Sequence, residues 1–407
     1  MSRVSLAFFF LATSALAAAQ LSVDTKLGQP KGWMPDGWGS YVMKLSNTGL
    51  SSLKVVKWTA GWKVNGKAVG DPWGGELALS IEPGKSKERS EVGYMSPTYY
   101  KASLPGAPEI VGSYSVVQDG KTVEVPFHVS VPGAFLPEPL KIIKGKTVGL
   151  ALMESRYKNF KRLDRTLKWI DEAYQRMIDL TGEHPFGGET MIFKESPAHP
   201  YWAYAGKEMI LNTDYVADTL KDFDNGIVAF GWVHEVGHNF DVLGDWYIWN
   251  GAAAEFQANF KLVNAIETMP DRDFLIRLSA NTPGYGINPG VCTPTQLVDR
   301  FFLLFGDAYL ADPKRDWKSM TSDDTHTFFQ RIQRAYGWEP FRATYRTYRT
   351  LADKGLKIPE TPEEKINLHA AILSKECKYD LAPLFARWRF PVTEESMKAA
   401  AVKYGIQ

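Results

Sequence analysis

At Pro137-Glu138-Pro139 the spacing of apolar residues changes, and no single kind of layer can bury both halves of the chain. Before this point, short β-branched and aromatic runs end at turn signals. Tyr41 to Leu45 stops before Asn47-Thr48-Gly49, and Val55 to Val64 stops at Asn65-Gly66. Tyr114 to Val117 and Thr122 to Val125 flank Asp119-Gly120. Asn-Gly and Asp-Gly supply the positive φ angles that tight hairpins need. Residues 20–135 therefore read as an immunoglobulin-like β-sandwich.

Beyond Pro139 the period lengthens. Ile142 to Leu152 holds one or two strands. Leu163, Leu167, Ile170, Tyr174, Met177 and Ile178 recur at helical steps, predicting a helix over 161–180 that Gly182 ends. Glu189 to Phe193 and Glu208 to Leu211 read as short strands. A second helix is predicted from Ile227 to Phe240, with Asp224 or Asn225 as its N-cap, and the chain from Phe256 onward reads as mostly helical. The fold class is thus α+β: a sandwich, then a mostly helical domain with a small sheet over residues 140–407.

Residues 1–19 read differently from both halves. Arg3 opens a short positive start, Val4 to Leu16 is apolar, and Ala17-Ala18-Ala19 offers a small-x-small cleavage site before Gln20. That pattern is a secretory signal peptide, so the expected location is secreted or periplasmic. No later run approaches the eighteen apolar residues of a membrane span. With 47 Lys and Arg against 46 acids, nucleic-acid binding has no charge argument. Cys292 and Cys377 are the only cysteines, either bridged or two buried thiols.

The chemistry sits at Trp232-Val233-His234-Glu235-Val236-Gly237-His238-Asn239-Phe240. His234 and His238 are four apart, one turn along the same helical face, and two imidazoles so placed can bind one Zn²⁺. Glu235 is badly placed as a ligand but suits a general base acting on water at the open position. A random shuffle of this composition yields only about 0.007 such motifs, so a helix that merely carries two histidines is the weaker reading. A catalytic zinc needs a third protein ligand. Glu255, 17 residues past His238, can return to the metal if the first helix ends near Leu243-Gly244 and a new one follows Asn250. Its neighbours Ala252, Ala253, Ala254 and Phe256 argue for a buried carboxylate. Asn259, one turn on, is placed to hydrogen-bond a ligand. Gly237 costs about 1 kcal/mol relative to Ala inside a helix, which close approach of substrate or of a neighbouring backbone explains, plain tolerance being the alternative.

His-Glu-x-Gly-His-Asn, a spacer, then Glu-x-x-x-Asn resembles the enhancin-like zinc metallopeptidases, a gluzincin family that includes mucin-degrading bacterial proteases. The run Tyr379 to Trp388 is also similar to that family's late helical segment, and the resemblance covers roughly residues 140–395. It implies a zincin-type domain, Zn²⁺ as cofactor and endopeptidase activity on glycoproteins or mucins. It also implies glycan contact through the accessory sandwich, a purely structural role for which is the alternative. The strand at Glu208 to Leu211 is expected to be the edge that holds an extended peptide. Tyr247, Tyr285, Tyr345, Tyr348, His326 and His369 are candidates for stabilising the oxyanion. The Thr344 to Thr350 repeat reads as a helix face, with a substrate-groove lining as the alternative. Two other functions stay open: an aminopeptidase, which would need another acid near the metal, and a non-catalytic glycan- or surface-binding protein with structural zinc.

Overall fold

A computed structural model describes residues 20–29, 31–118, 120–197, 199, 201–277 and 290–406, with the side chain of residue 301 left out. The signal-peptide reading of 1–19, together with Asp119 and Tyr285, lies outside the described residues. The described chain is mixed α and β, and it divides into two compact units. One is built on residues 20–135, with Pro197 and His199 counted to it; the other holds the remainder.

The first unit contains β1 (Leu21–Leu27), β2 (Gly37–Asn47), β3 (Leu53–Val64), β4 (Lys67–Ile81), β5 (Ser86–Met95), α1 (Pro97–Ser103), β6 (Glu109–Gln118) and β7 (Lys121–Ser130). Two antiparallel sheets, ordered β1-β2-β5 and β4-β3-β6-β7, share one core. Alternation decides which side chains enter it: Tyr41, Met43 and Leu45 of β2 are buried, as are Ile110, Tyr114 and Val116 of β6. The β3–β4 hairpin turns on Asn65 (φ 47°) and Gly66 (φ 79°), the geometry its Asn-Gly pair favours.

The second unit begins with β8 (Leu140–Lys144), β9 (Val148–Met153), α2 (Glu154–Lys158) and α3 (Leu163–Thr181). Gly182 closes α3 in the left-handed conformation at φ 68°. Then come β10 (Met191–Ser196), β11 (Ala203–Tyr204), β12 (Glu208–Asn212) and α4 (Thr213–Asp224). The sheet order is β11-β12-β10-β9-β8, with β9, β10 and β12 parallel and the outer strands antiparallel. The strand at Glu208 is therefore interior. β11 covers it and forms the edge, which corrects the expected peptide-holding strand.

The helix expected from Ile227 to Phe240 is shorter. Residues Ile227–Ala229 form β13, and α5 is Phe230–Asn239. Asp224 and Asn225 do not cap it; they end α4, and Gly226 follows at φ 74°. A three-residue apolar run fits either state, and here it pairs in parallel with β14 (Leu275–Arg277), which is joined in turn by β15 (Val291–Cys292). Nor does α5 reach Leu243-Gly244, because α6 (Gly244–Tyr247) is a separate turn.

Helix α7 (Gly251–Thr268) starts at Asn250, whose side chain accepts from the Ala253 N–H at 2.8 Å. It lies between two cores. Leu262, Val263 and Ile266 join the sheet and α3; Phe256 and Phe260 join the C-terminal helices. α8 (Pro294–Leu297) adds Leu297 to the first of these cores; the helices of the second are α9 (Asp307–Ala311), α10 (Ser322–Tyr336), α11 (Glu339–Asp353), α12 (Pro362–Cys377), α13 (Ala382–Arg387) and α14 (Glu394–Tyr404). A helix buried on most sides loses its amphipathic stripe, so α7 is visible in sequence chiefly through its cap. Cys292 and Cys377 are free buried thiols, each pushed up to about 11 by burial.

Helices α5 and α7 cross at Gly237. A Cβ there would meet the Ala258 carbonyl oxygen at 2.6 Å and its Cα at 3.0 Å, so close approach of a neighbouring backbone explains this glycine. Gly237→Ala should lower the thermal midpoint by several degrees. Overpacking at about 1–3 kcal/mol outweighs a helix-propensity gain of about 1 kcal/mol. Thermal unfolding by circular dichroism checks this; an unchanged or raised midpoint would contradict it.

Candidate metal centre

The crossing sets one face of α5 against the first two turns of α7. His234 Nε2 and His238 Nε2 lie 3.1 Å apart. Both turn toward the Glu255 carboxylate, His234 Nε2 at 3.1 Å from Oε2 and His238 Nε2 at 3.5 Å from Oε1. The ligand atoms of these three residues all lie within 4.8 Å of one another. Glu255 is not the buried carboxylate expected from its alanine neighbours. Its side chain is 54% exposed and faces a cleft, while Ala253 and Phe256 on either side turn inward.

Asn259 stands behind the pair, its Oδ1 2.7 Å from His234 Nδ1. Accepting the Nδ1–H leaves the His234 Nε2 lone pair directed at the carboxylate. Two lone-pair nitrogens and a carboxylate oxygen facing one another repel unless a cation lies between them. The edges of a tetrahedron with bonds of about 2.0–2.1 Å are about 3.3–3.4 Å long, and the observed 3.1–3.5 Å separations match. The donor set therefore fits a zinc-sized ion.

The electrostatics are those of an opposed set. With protons on the imidazoles in place of an ion, hydrogen bonds from His234 and then His238 hold the Glu255 carboxyl well below the usual carboxylate range. Burial pushes the His234 ring down, but hydrogen bonding to Glu255, the charges of Glu235 and Glu255, and Asn259 together raise it. Glu235 lines the same cleft. Burial raises its carboxyl above the usual range, against the pull of His234, His238 and a hydrogen bond from the Ala205 N–H.

The cleft has a volume of about 780 Å³, and its other wall is the segment Tyr201 to Gly206, which contains β11. Asn239 anchors that wall, donating from Nδ2 to the Gly206 carbonyl at 2.9 Å. Trp202 packs over Gly231, where a Cβ would meet its ring at 2.2 Å. Tyr201 and Tyr204 are half-exposed. None of this wall was singled out from the sequence. Its signal is the aromatic run Tyr201-Trp202-Ala203-Tyr204, which has no period and follows no element pattern.

The oxyanion candidates are elsewhere. Tyr247, Tyr345, Tyr348, His326 and His369 are buried among the C-terminal helices and do not line the cleft. Tyr345 donates to Gln257 Oε1 at 2.5 Å, and Tyr348 Oη lies 2.9 Å from His369 Nδ1. The Thr344 to Thr350 repeat is a packed face of α11, with Thr344, Tyr345 and Tyr348 inside.

No family model matches the chain. It is 32% identical over 277 residues to TRPM8 channel-associated factor 3 of Rattus norvegicus, covering 67% of this chain and 27% of that protein. It is 25% identical over 239 residues to TRPM8 channel-associated factor 2 of Bos taurus, covering 58% and 23%. The chain thus spans about a quarter of the length of these relatives. Among solved structures it is similar to a conserved protein of unknown function from Bacillus anthracis (TM-score 0.48, 17% identity, 93% of this chain and 73% of that one). It is also similar to a metallopeptidase from Bacteroides thetaiotaomicron (0.45, 11%, 93% and 66%) and the catalytic module of the metalloprotease ZmpA from Clostridium perfringens (0.41, 12%, 94% and 79%). With TM-scores below 0.5, function has to be argued from the residues of the site.

Asn239→Ala should loosen the cleft wall. Losing a hydrogen bond of about 1 kcal/mol raises local opening roughly fivefold. Hydrogen exchange of peptides spanning 201–207 should accelerate by that factor; unchanged protection would contradict the anchoring role.

Proposed function

We propose that the chain is a secreted zinc-dependent metalloendopeptidase acting on peptide bonds in glycoproteins. The observation that carries this is the convergence of His234 Nε2, His238 Nε2 and the Glu255 carboxylate at tetrahedral-edge distances, with Glu235 beside them in an open cleft. His234, His238 and Glu255 would hold the ion, and Asn259 would orient His234. Bound there, zinc supplies a Lewis acid that polarises a carbonyl and makes water acidic enough to react near pH 7.

The chain's own groups do the rest. Glu235 accepts a proton from water on a carboxylate oxygen and returns it to the leaving amine nitrogen. A carboxyl raised by burial is better matched to that exchange near neutral pH. The Ala205 N–H fixes the carboxylate toward the cleft. β11 is the edge of its sheet, the position at which an extended peptide adds as a further strand. The half-exposed Tyr201 and Tyr204 rings offer flat surfaces to substrate side chains or sugars. Export rests on the pattern of residues 1–19, and we assign the N-terminal sandwich to glycan contact.

An endopeptidase fits better than an aminopeptidase. Among the described residues lining the cleft, the acids are Glu235 and Glu255, and both are already occupied; no further carboxylate is left for a substrate's free amine. A second reading, association without hydrolysis, is favoured by the curated relatives, which are named as channel-associated factors.

Digestion of a mucin-type glycoprotein separates the two. Wild type should cleave it, lose activity to a chelator and recover it with zinc. Glu235→Gln should bind zinc as wild type does yet lose activity by about 10²–10⁴-fold. Equal digestion by wild type and variant would reject the proposal.

A further inference from the structure

Lys261 is buried completely, at 0% exposure, one turn and a half beyond Glu255 on α7. A buried lysine needs a reason, because its desolvation is costly unless it is paired. Its ammonium contacts Asp241 Oδ1, lies 3.4 Å from the Gly237 carbonyl near the end of α5, and sits 5.9 Å from the centre of the Tyr247 ring. The Tyr247 hydroxyl donates to the same Asp241 oxygen at 3.2 Å. Nearby, the buried Glu183 carboxylate accepts the Val242 and Leu243 N–H groups at 3.2 Å each and fixes the turn that carries Asp241. One Asp241 oxygen is thus fully engaged. The other, Oδ2, faces His238 Nδ1 at 4.0 Å, beyond hydrogen-bond length.

We propose that Asp241 and Lys261 are positioning residues for His238: the lysine clamps the aspartate, and the free oxygen of the aspartate orients the imidazole as Asn259 orients His234. This rests on the metal-centre reading above. It gives α7 a threefold task, since Glu255 contributes an oxygen, Asn259 meets one ring directly and Lys261 reaches the other through Asp241. It also accounts for an ion pair that an apolar pair of the same size could replace without loss of stability.

The test uses full-length protein with Lys261→Met, Asp241→Asn and the double variant Asp241→Leu/Lys261→Met, which leaves no unpaired buried charge. Two quantities are read: affinity for zinc alone by chelator competition, and the ¹⁵N shifts of the His238 ring in metal-free protein. The double variant should keep a thermal midpoint near that of wild type, bind zinc 10–100-fold more weakly, and lose the preference for a proton on His238 Nδ1. Asp241→Asn, which keeps an accepting oxygen, should retain most of that preference even if the double variant fails to fold. Wild-type ring shifts in the double variant or in Lys261→Met, or loss of the preference in Asp241→Asn equal to that in Lys261→Met, would overturn the proposal. Should wild type itself take up no zinc, the metal-centre reading fails, and the ring shifts still decide this one.

Discussion

The structure depends on the close crossing of α5 and α7 at Gly237 and Ala258. Helices normally pack with their axes about 8–10 Å apart, held off by side chains. Removing a Cβ at the crossing lets the backbone of one meet the backbone of the other. Two imidazoles from one helix and a carboxylate from the next then reach a common point without long side chains having to stretch. The same contact brings the Gly237 carbonyl within 3.4 Å of Lys261. A single missing methyl group thus connects backbone packing to the chemistry of the cleft.

Helix α7 also couples the two hydrophobic cores of its unit. One side of it is held by the sheet, the other by aromatic packing that includes Phe256 stacked on Phe329 with ring centres 4.7 Å apart. Beyond its first residue, Glu255 is the exposed position on a helix otherwise buried or half-buried, so its carboxylate is presented to the cleft by a rigid support. Rigid first and supporting shells are what a metal centre needs to hold its donors in place.

Much of this was legible from residues alone. The four-residue spacing of His234 and His238 puts them on one face whatever the helix boundaries, and the return of Glu255 and Asn259 required only a break and a capped restart, which Asn250 supplies. Boundaries were less legible. Ile227-Val228-Ala229 is too short for its period to separate strand from helix, and its pairing partner β14 lies some fifty residues away. The small strand β11 displaces Glu208–Asn212 from the sheet edge through a contact that no local pattern encodes. Burial misled in two directions: alanines beside Glu255 suggested enclosure where a cleft opens, and the tyrosines and histidines of the C-terminal region looked available for chemistry where they fill a core. Lys261 carried no sequence signal, because a lysine on a helix is ordinarily solvated.

The central claim is that two imidazole nitrogens and one carboxylate close around a single cation. Zinc K-edge X-ray absorption on protein reconstituted with one equivalent of zinc tests it most directly. The account predicts two histidine nitrogens and one carboxylate oxygen at about 2.0–2.2 Å, with one histidine contribution lost in His238→Ala. A spectrum lacking histidine scattering, or unchanged by that substitution, would contradict it.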